Sequence, residues 1–394
     1  MLTVTLDMYQ TLAVAVAALV TGELLKRRLH VLEKICIPSP VAGGLVFAAA
    51  ACLFHAAGIL EVAYTDTMQE ICMVFFFTSV GYQADVKVLK TGGKPLVIFL
   101  GLIMIMTVAQ NLVAVGTAGM LGLDPLVGMC TGSIPMLGGH GTSAAFGRML
   151  ESLGAGGATT IAMAAATYGL VAGSLMGGPL ANRLVKRKHL LNISEQVESV
   201  HTEGVSHKKL TENYAVAAFQ LVVTAGIGTV LSQLLSRTGL TVPLYLGAMV
   251  AAAAFRNLAG HFGKYKVYTG EIEDIGKIML ALFLGVAMVT LRLWDLASLA
   301  FSLVILLIAQ TVFMFLFVRL IVFQAMGRDY DAAVISAGTC GFGMGATPNA
   351  MANMQAVTRK YGPSVKAYVL IPIVGSLFVD ICNTFIVTLF INNV

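Results

Sequence analysis

GSIPMLGGHGTSAA (Gly132 to Ala145) and GTCGFGMGATPNAMA (Gly338 to Ala352) are two glycine-rich, polar-punctuated stretches, each set inside apolar sequence. At bilayer depth, irregular backbone survives only where protein or a watery cavity satisfies its peptide groups. Paired helix breaks in corresponding positions of two halves are the mark of a transporter whose binding site lies near the membrane midplane.

Composition supports a membrane setting. Of the 394 residues, 57% are hydrophobic and 11% charged, and the mean hydropathy is +0.85. An ordinary soluble domain carries about 25% charged residues. The first apolar segment ends in Lys26-Arg27-Arg28 and lacks a short cationic leader, so it reads as a retained helix, not a cleaved signal peptide. Six cysteines stand singly with no CxxC pair, which favours buried thiols over disulfides or zinc. The net charge of +5 follows from topology and gives no reason to expect a nucleic-acid partner.

Hydropathy predicts an all-α polytopic protein of about ten spans of roughly 20 residues, the length a hydrocarbon core of about 30 Å requires. The expected spans are 9–28, 39–58, 69–88, 95–119 and 158–184, then 214–235, 240–257, 275–293, 297–323 and 366–391. Five spans and one glycine-rich segment per half make the halves inverted repeats. The first covers 1–187 with a re-entrant hairpin near 126–150; the second covers 214–394 with a hairpin near 331–356. A polar connector at 188–213 is expected in the cytoplasm. Basic residues such as Lys26, Arg187, Lys208 and Arg359 gather in alternate loops, so the positive-inside rule places both termini outside. Further echoes tie the halves together: Ala109-Gln110 returns as Ala309-Gln310, and Gly173-Ser174-Leu175 as Gly375-Ser376-Leu377.

Hairpin tips rich in glycine can present peptide N–H groups to a carboxylate and C=O groups to Na⁺. The polar side chains Ser133, Thr142, Ser143, Thr339, Thr347 and Asn349 are candidate ligands for a small polar solute, although Ser and Thr also bond back to their own helix. Gly139 and His140 join the substrate set. Gly138, Gly343 and Gly345 join Ser133 and Thr339 as candidate Na⁺ ligands. His140 suits either a proton relay or a neutral hydrogen bond that locks the hairpin. Asp124 and Asp329 read as helix caps, Arg148 as a snorkelling residue or an attractor of anions, and Gly43-Gly44 and Gly177-Gly178 as packing glycines. Phe75 to Phe77 face lipid or core, while Thr78 and Ser79 are candidates for a cavity wall. Asp380, with Asn383 on the same helical face, is the sharpest signal. A carboxylate in the last span is costly and defaults to function, either pairing with a substrate ammonium or holding Na⁺ or H⁺.

The combination GLDPLVG (Gly122 to Gly128), GGHGT (Gly138 to Thr142), YDAAV (Tyr330 to Val334), CGFGMGATPNAMANMQAVT (Cys340 to Thr358), YGPS (Tyr361 to Ser364) and VDICN (Val379 to Asn383) resembles the bacterial glutamate:sodium symporters. The resemblance covers nearly the whole chain. It implies Na⁺-coupled uptake of L-glutamate across the inner membrane by a homodimer, through an elevator mechanism. Carried onto this sequence, it implies that hairpin N–H groups with Thr142, Thr347 and Asn349 take the carboxylates and that Asp380 takes the ammonium. Na⁺ would use carbonyls and hydroxyls plus Asp380 or Asn383. The alternative is a Na⁺- or H⁺-coupled carrier of di- or tricarboxylates or another acidic solute. Such a carrier should place arginines at the hairpins, where Arg148 alone is near. An enzyme is not expected, since no nucleophile with its base and no metal triad stands out.

Overall fold

The computed structural model describes residues 2–29, 32, 37–85, 93–188, 190, 207–238, 242–262, 266–296 and 300–393. Most of the expected connector, including 191–206, and the loop lysines Lys34, Lys87, Lys90 and Lys264 lie outside the described residues.

The chain is almost wholly helical. In the first half α1 (Met8–Arg28), α2 (Ser39–Ala56), α3 (Thr67–Gln83) and α4 (Gly93–Met120) precede a broken segment. That segment runs as α5 (Pro125–Met129), α6 (Ser133–Met136) and α7 (Gly139–Ser152), and α8 (Ala158–Lys188) follows. The second half repeats the order with α9 (His207–Ser236), α10 (Leu244–Phe262) and α11 (Thr269–Val289). Next comes α12 (Ala300–Phe317), prolonged by a π turn at Val318–Val322 and a last turn at Phe323–Ala325. The second broken segment is α13 (Tyr330–Gly343) and α14 (Thr347–Tyr361), and the chain ends in α15 (Val365–Leu377) and α16 (Val379–Ile391).

Among the described residues, six helices are long and apolar enough to cross a membrane, or seven if α15 and α16, bent by 48°, count as one span. With the bent pair counted as one span, three of the ten expected spans fall short of that test. α3 is 17 residues long, α10 is apolar only over Leu244–Ala259, and α11 opens with Glu271, Glu273, Asp274 and Lys277. Their positions still match the expected segments.

The sequence reading did not anticipate strands. Leu2–Leu6 (β1) pairs in parallel with Leu60–Tyr64 (β2), with Leu2 opposite Leu60 and Leu6 opposite Tyr64. Alternation in LTVTL and LEVAY suits a pleated ribbon, but a parallel partner so distant in sequence leaves no local signal.

Two packing groups emerge. Helices α1, α2 and α3 pack with α9, α10 and α11. The crossing of α1 with α2 is close because the Cα of Gly43 lies against the Ala18 carbonyl, where a Cβ would come within 1.7 Å of the oxygen. The second group is α4, α8 and α12 with both broken segments and α15–α16. At its centre Gly169, Gly173 and Gly177 form one face of α8, and α13 with its tip packs so closely that a Cβ on Gly169 would stand 2.2 Å from the Met344 carbonyl oxygen. The duplicated glutamines meet where α4 crosses α12: Gln310 Nε2 donates to the Gln110 carbonyl at 2.8 Å, and Gln110 Nε2 donates to the Gly343 carbonyl at 2.8 Å.

Candidate functional site

Both broken segments open with the cap expected of them. Asp124 Oδ1 accepts from the Leu126 N–H at 2.7 Å, and Asp329 Oδ1 accepts from the Ala332 N–H at 2.7 Å. The inner helices are built differently. α7, α14 and α16 start at Gly138, Ala346 and Phe378, and none of the three has a side-chain cap. Their first-turn N–H groups and positive dipole ends remain available to an outside acceptor.

These three N-termini open on one cavity of about 360 Å³. Gly138 to Thr142 line it from the first broken segment, Gly345 to Thr347 from the second, and Gly375, Val379 and Asp380 from the bent last pair. Phe76 and Phe77 of α3 and Leu280 and Leu284 of α11 close it from the other packing group. The two tips abut: Gly139 has φ +61°, and a Cβ there would sit 3.1 Å from the Gly345 carbonyl oxygen. Only glycine takes that left-handed backbone without strain.

Of the expected substrate residues, Gly139, His140, Thr142, Thr347 and Asp380 line this cavity. Gly138 and Gly345, expected at Na⁺, line it too. Asp380 lies in the first turn of α16, where the helix dipole favours its negative charge, and no ion pair engages it among the described residues. His140 Nε2 is 3.0 Å from Thr167 Oγ1, whose own proton goes to the Met163 carbonyl at 3.0 Å. Thr167 is therefore the acceptor and His140 Nε2 carries a proton, which ties the first tip to α8.

The other expected residues sit away from the cavity wall. Thr339 donates to the Ile335 carbonyl at 2.8 Å inside a fully buried helix, and the Gly343 carbonyl is taken by Gln110. Asn349 Nδ2 donates to the Leu170 carbonyl at 3.0 Å, so it docks α14 on α8. Ser143 is buried within α7. Ser133 and Asn383 form a separate node with Asn111 of α4, a residue the sequence reading missed. The Ser133 N–H donates to Asn111 Oδ1 at 2.8 Å, and Asn383 Nδ2 donates to the Ser133 carbonyl at 3.2 Å. Ser133 Oγ and Asn383 Oδ1 are buried there without a hydrogen-bond partner.

Three further expectations are corrected. Arg148 does not line the cavity: Nη1 pairs with Asp66 Oδ2 at 3.0 Å and Nη2 bonds Gln69 Oε1, joining α7 to the start of α3. Thr78 and Ser79 bond back to Val74 and Phe76 carbonyls, while Phe76 and Phe77 form the wall in their place. Of the glycine pair in α8, Gly177 packs against Asn353, but a Cβ on Gly178 would meet open space.

The model for the family described as "Sodium/glutamate symporter" matches residues 4–363. The chain is 37% identical over 391 residues to the sodium/glutamate symporter of Escherichia coli, covering 98% of each chain. It is 38% identical over 387 residues to that of Haemophilus influenzae, covering 96% of each. Among solved structures, the sodium proton antiporter MjNhaP1 from Methanocaldococcus jannaschii aligns over 98% of both chains with a TM-score of 0.43 and 13% identity, too low a likeness to bear on fold or function. Matched along nearly its full length by both the family model and these relatives, the chain belongs to the sodium/glutamate symporter family.

Proposed function

We propose that this protein is a Na⁺-coupled secondary active transporter that takes up L-glutamate across the bacterial inner membrane. One observation carries the reading: one cavity joins three uncapped helix N-termini to one carboxylate, Asp380. Glutamate presents two carboxylates and one ammonium. Its carboxylates suit the N–H groups at Gly139 to Gly141 and at Thr347 with the Thr142 hydroxyl, and its ammonium suits Asp380. The family membership supports the same substrate and ion, as the relatives are named sodium/glutamate symporters.

The cavity lacks an arginine, which a di- or tricarboxylate carrier would need to balance its extra negative charge. Na⁺ is expected one layer deeper, at the node where Ser133 Oγ and Asn383 Oδ1 are buried oxygens without a partner. Glutamate is a monoanion, so two or more Na⁺ make uptake electrogenic, and each net positive charge moved inward gains about 2.3 kcal/mol per 100 mV.

In the same proposal the two halves are inverted repeats, the broken segments are re-entrant hairpins, and both termini face outward. The group holding the hairpins slides as an elevator against the group of α1–α3 and α9–α11, in a homodimer. The cavity supports this reading because its walls come from both groups. The test is uptake of labelled L-glutamate into proteoliposomes with and without an inward Na⁺ gradient, with citrate and L-malate as competitors. Concentrative uptake is expected only with Na⁺. Uptake indifferent to Na⁺, or displaced by citrate as readily as by glutamate, overturns the assignment.

A further inference from the structure

A second cavity, of about 350 Å³, lies between the ends of α8 and α12 and shares no lining residue with the cavity at Asp380. Four arginines line it: Arg183 and Arg187 from α8, one helical turn apart, Arg319 from the π turn, and Arg328 from the loop after α12. Among the described residues none of the four is in an ion pair; the only hydrogen bond given to these guanidiniums is from Arg328 Nη2 to Gln324 Oε1 at 3.0 Å. Like charges gathered on one concave wall repel one another unless an anion offsets them.

The backbone holds two of these arginines in uncommon conformations. Arg319 sits in a π turn, a feature concentrated at functional sites. Arg328 is the only non-glycine residue with positive φ, +58°, among the described residues, a conformation that disfavours any side chain with a Cβ. Its N–H closes the end of α12 on the Phe323 carbonyl at 3.1 Å, next to Gly327, whose φ is also positive at +121°. An arginine stands where glycine would be easier.

The remaining wall is apolar, with Leu180, Leu184, Phe315, Leu320 and Phe323. From it an uncovered stripe runs along α12: Leu320, Leu316, Val312 and Ile308 recur every fourth residue and are 53%, 46%, 53% and 53% exposed. Twelve residues of helix extend about 18 Å, close to one leaflet's share of a hydrocarbon core about 30 Å thick.

We infer that this cavity is a binding site for an anionic phospholipid, whose phosphodiester lies among Arg183, Arg187, Arg319 and Arg328 and whose acyl chain follows the α12 stripe. Guanidinium forks suit phosphate oxygens bidentately, and basic pockets between spanning helices on the cytoplasmic side are where acidic headgroups bind. The apolar stripe decides for a lipid over free phosphate.

The test measures binding of fluorescent phosphatidylglycerol to the purified full chain in detergent, against phosphatidylcholine and inorganic phosphate as competitors. Phosphatidylglycerol should bind, phosphatidylcholine should compete poorly, and millimolar phosphate should leave most of the lipid bound. Removing two charges in Arg187→Gln/Arg319→Gln should weaken binding about 25-fold, roughly fivefold per arginine. The pair Lys26→Gln/Arg27→Gln should leave it unchanged. Equal competition by phosphatidylcholine, full displacement by phosphate, or equal loss in the Lys26/Arg27 pair overturns the inference. If the double variant fails to fold, the single variants Arg187→Gln and Arg319→Gln, each expected to weaken binding about fivefold, decide the matter.

Discussion

The last apolar segment of each half carries the same sequence echo and is built differently around it. Gly173-Ser174-Leu175 lies inside α8, a continuous helix of 31 residues, whereas Gly375-Ser376-Leu377 ends α15 and the chain turns by 48° into α16. Both copies carry a proline, Pro179 in α8 and Pro372 in α15, and glycine–serine pairs and prolines are the usual causes of kinks. Local sequence therefore permits a bend in both and compels it in neither. α8 is gripped along its length by α7, α13 and α14, so its backbone stays closed on itself. The equivalent stretch of the second half borders the cavity, and its break turns the N-terminus of α16, with Asp380, into that space. Aligned on the echo, Asp380 corresponds to Gly178 in α8, which faces open space. The first stretch packs as a continuous helix, and the second brings a carboxylate to the cavity.

The comparison breaks first on topology. If the halves are inverted, single cysteines at Glu61 and Lys266, in corresponding loops of a cysteine-free background, should react with an impermeant thiol reagent from opposite faces of oriented membranes. Labelling of both from one face would falsify the inversion. Next in size is the charge that only the second copy carries. Asp380→Asn should lower Na⁺-driven glutamate uptake at least a hundredfold while thermal melting stays within a few degrees, since an isostere leaves packing intact. Unchanged uptake and Na⁺ dependence would move the ammonium elsewhere.

The contact between the two tips is expected to matter next. Gly139→Ala must adopt φ +61° and press on the Gly345 carbonyl, which should cost about 1–3 kcal/mol of local strain and cut uptake about tenfold or more by that amount. Normal transport rates in this variant would show that the tips separate without their close approach. A smaller difference should divide the duplicated glutamines. Gln110→Ala leaves the Gly343 carbonyl of the second tip unpaired, whereas Gln310→Ala leaves only the Gln110 carbonyl of α4 without its side-chain donor. Each should destabilise by about 1–3 kcal/mol, but only Gln110→Ala should also raise the KM for glutamate. Equal KM values would place the second tip outside the binding path. Smallest of all is Gly178→Ala, where a Cβ meets nothing; a gain of about 0.5–1 kcal/mol in stability with unaltered transport is expected, and a transport defect would mean that α8 is not merely a frame.

Much of this was legible in the sequence because it depends on short-range rules. Asp124 and Asp329 announce helix starts by sitting immediately before them, and the structure gives each the cap bond expected of it. Glycine density marked both broken segments, and Asp380 stood out because a carboxylate in an apolar span is conspicuous. What failed was the sorting of polar residues within those segments. Thr339 and Asn349 look as apt for ligands as Thr142 and Thr347 do, yet helix rotation turns the first pair toward protein and the second toward the cavity.

By itself, then, the sequence determined the solvent, the helical periodicity, the places where helices must stop and the presence of one acid in an apolar span, because each depends on residues a few positions apart. Tertiary structure decided the rest: the parallel pairing of Leu2–Leu6 with Leu60–Tyr64, the Arg148–Asp66 ion pair, the Asn111–Ser133–Asn383 node and the choice of which last span bends. These are contacts between residues far apart in the chain. Their energies are set by which surfaces packing brings together, and hydrophobic pattern alone does not encode that choice.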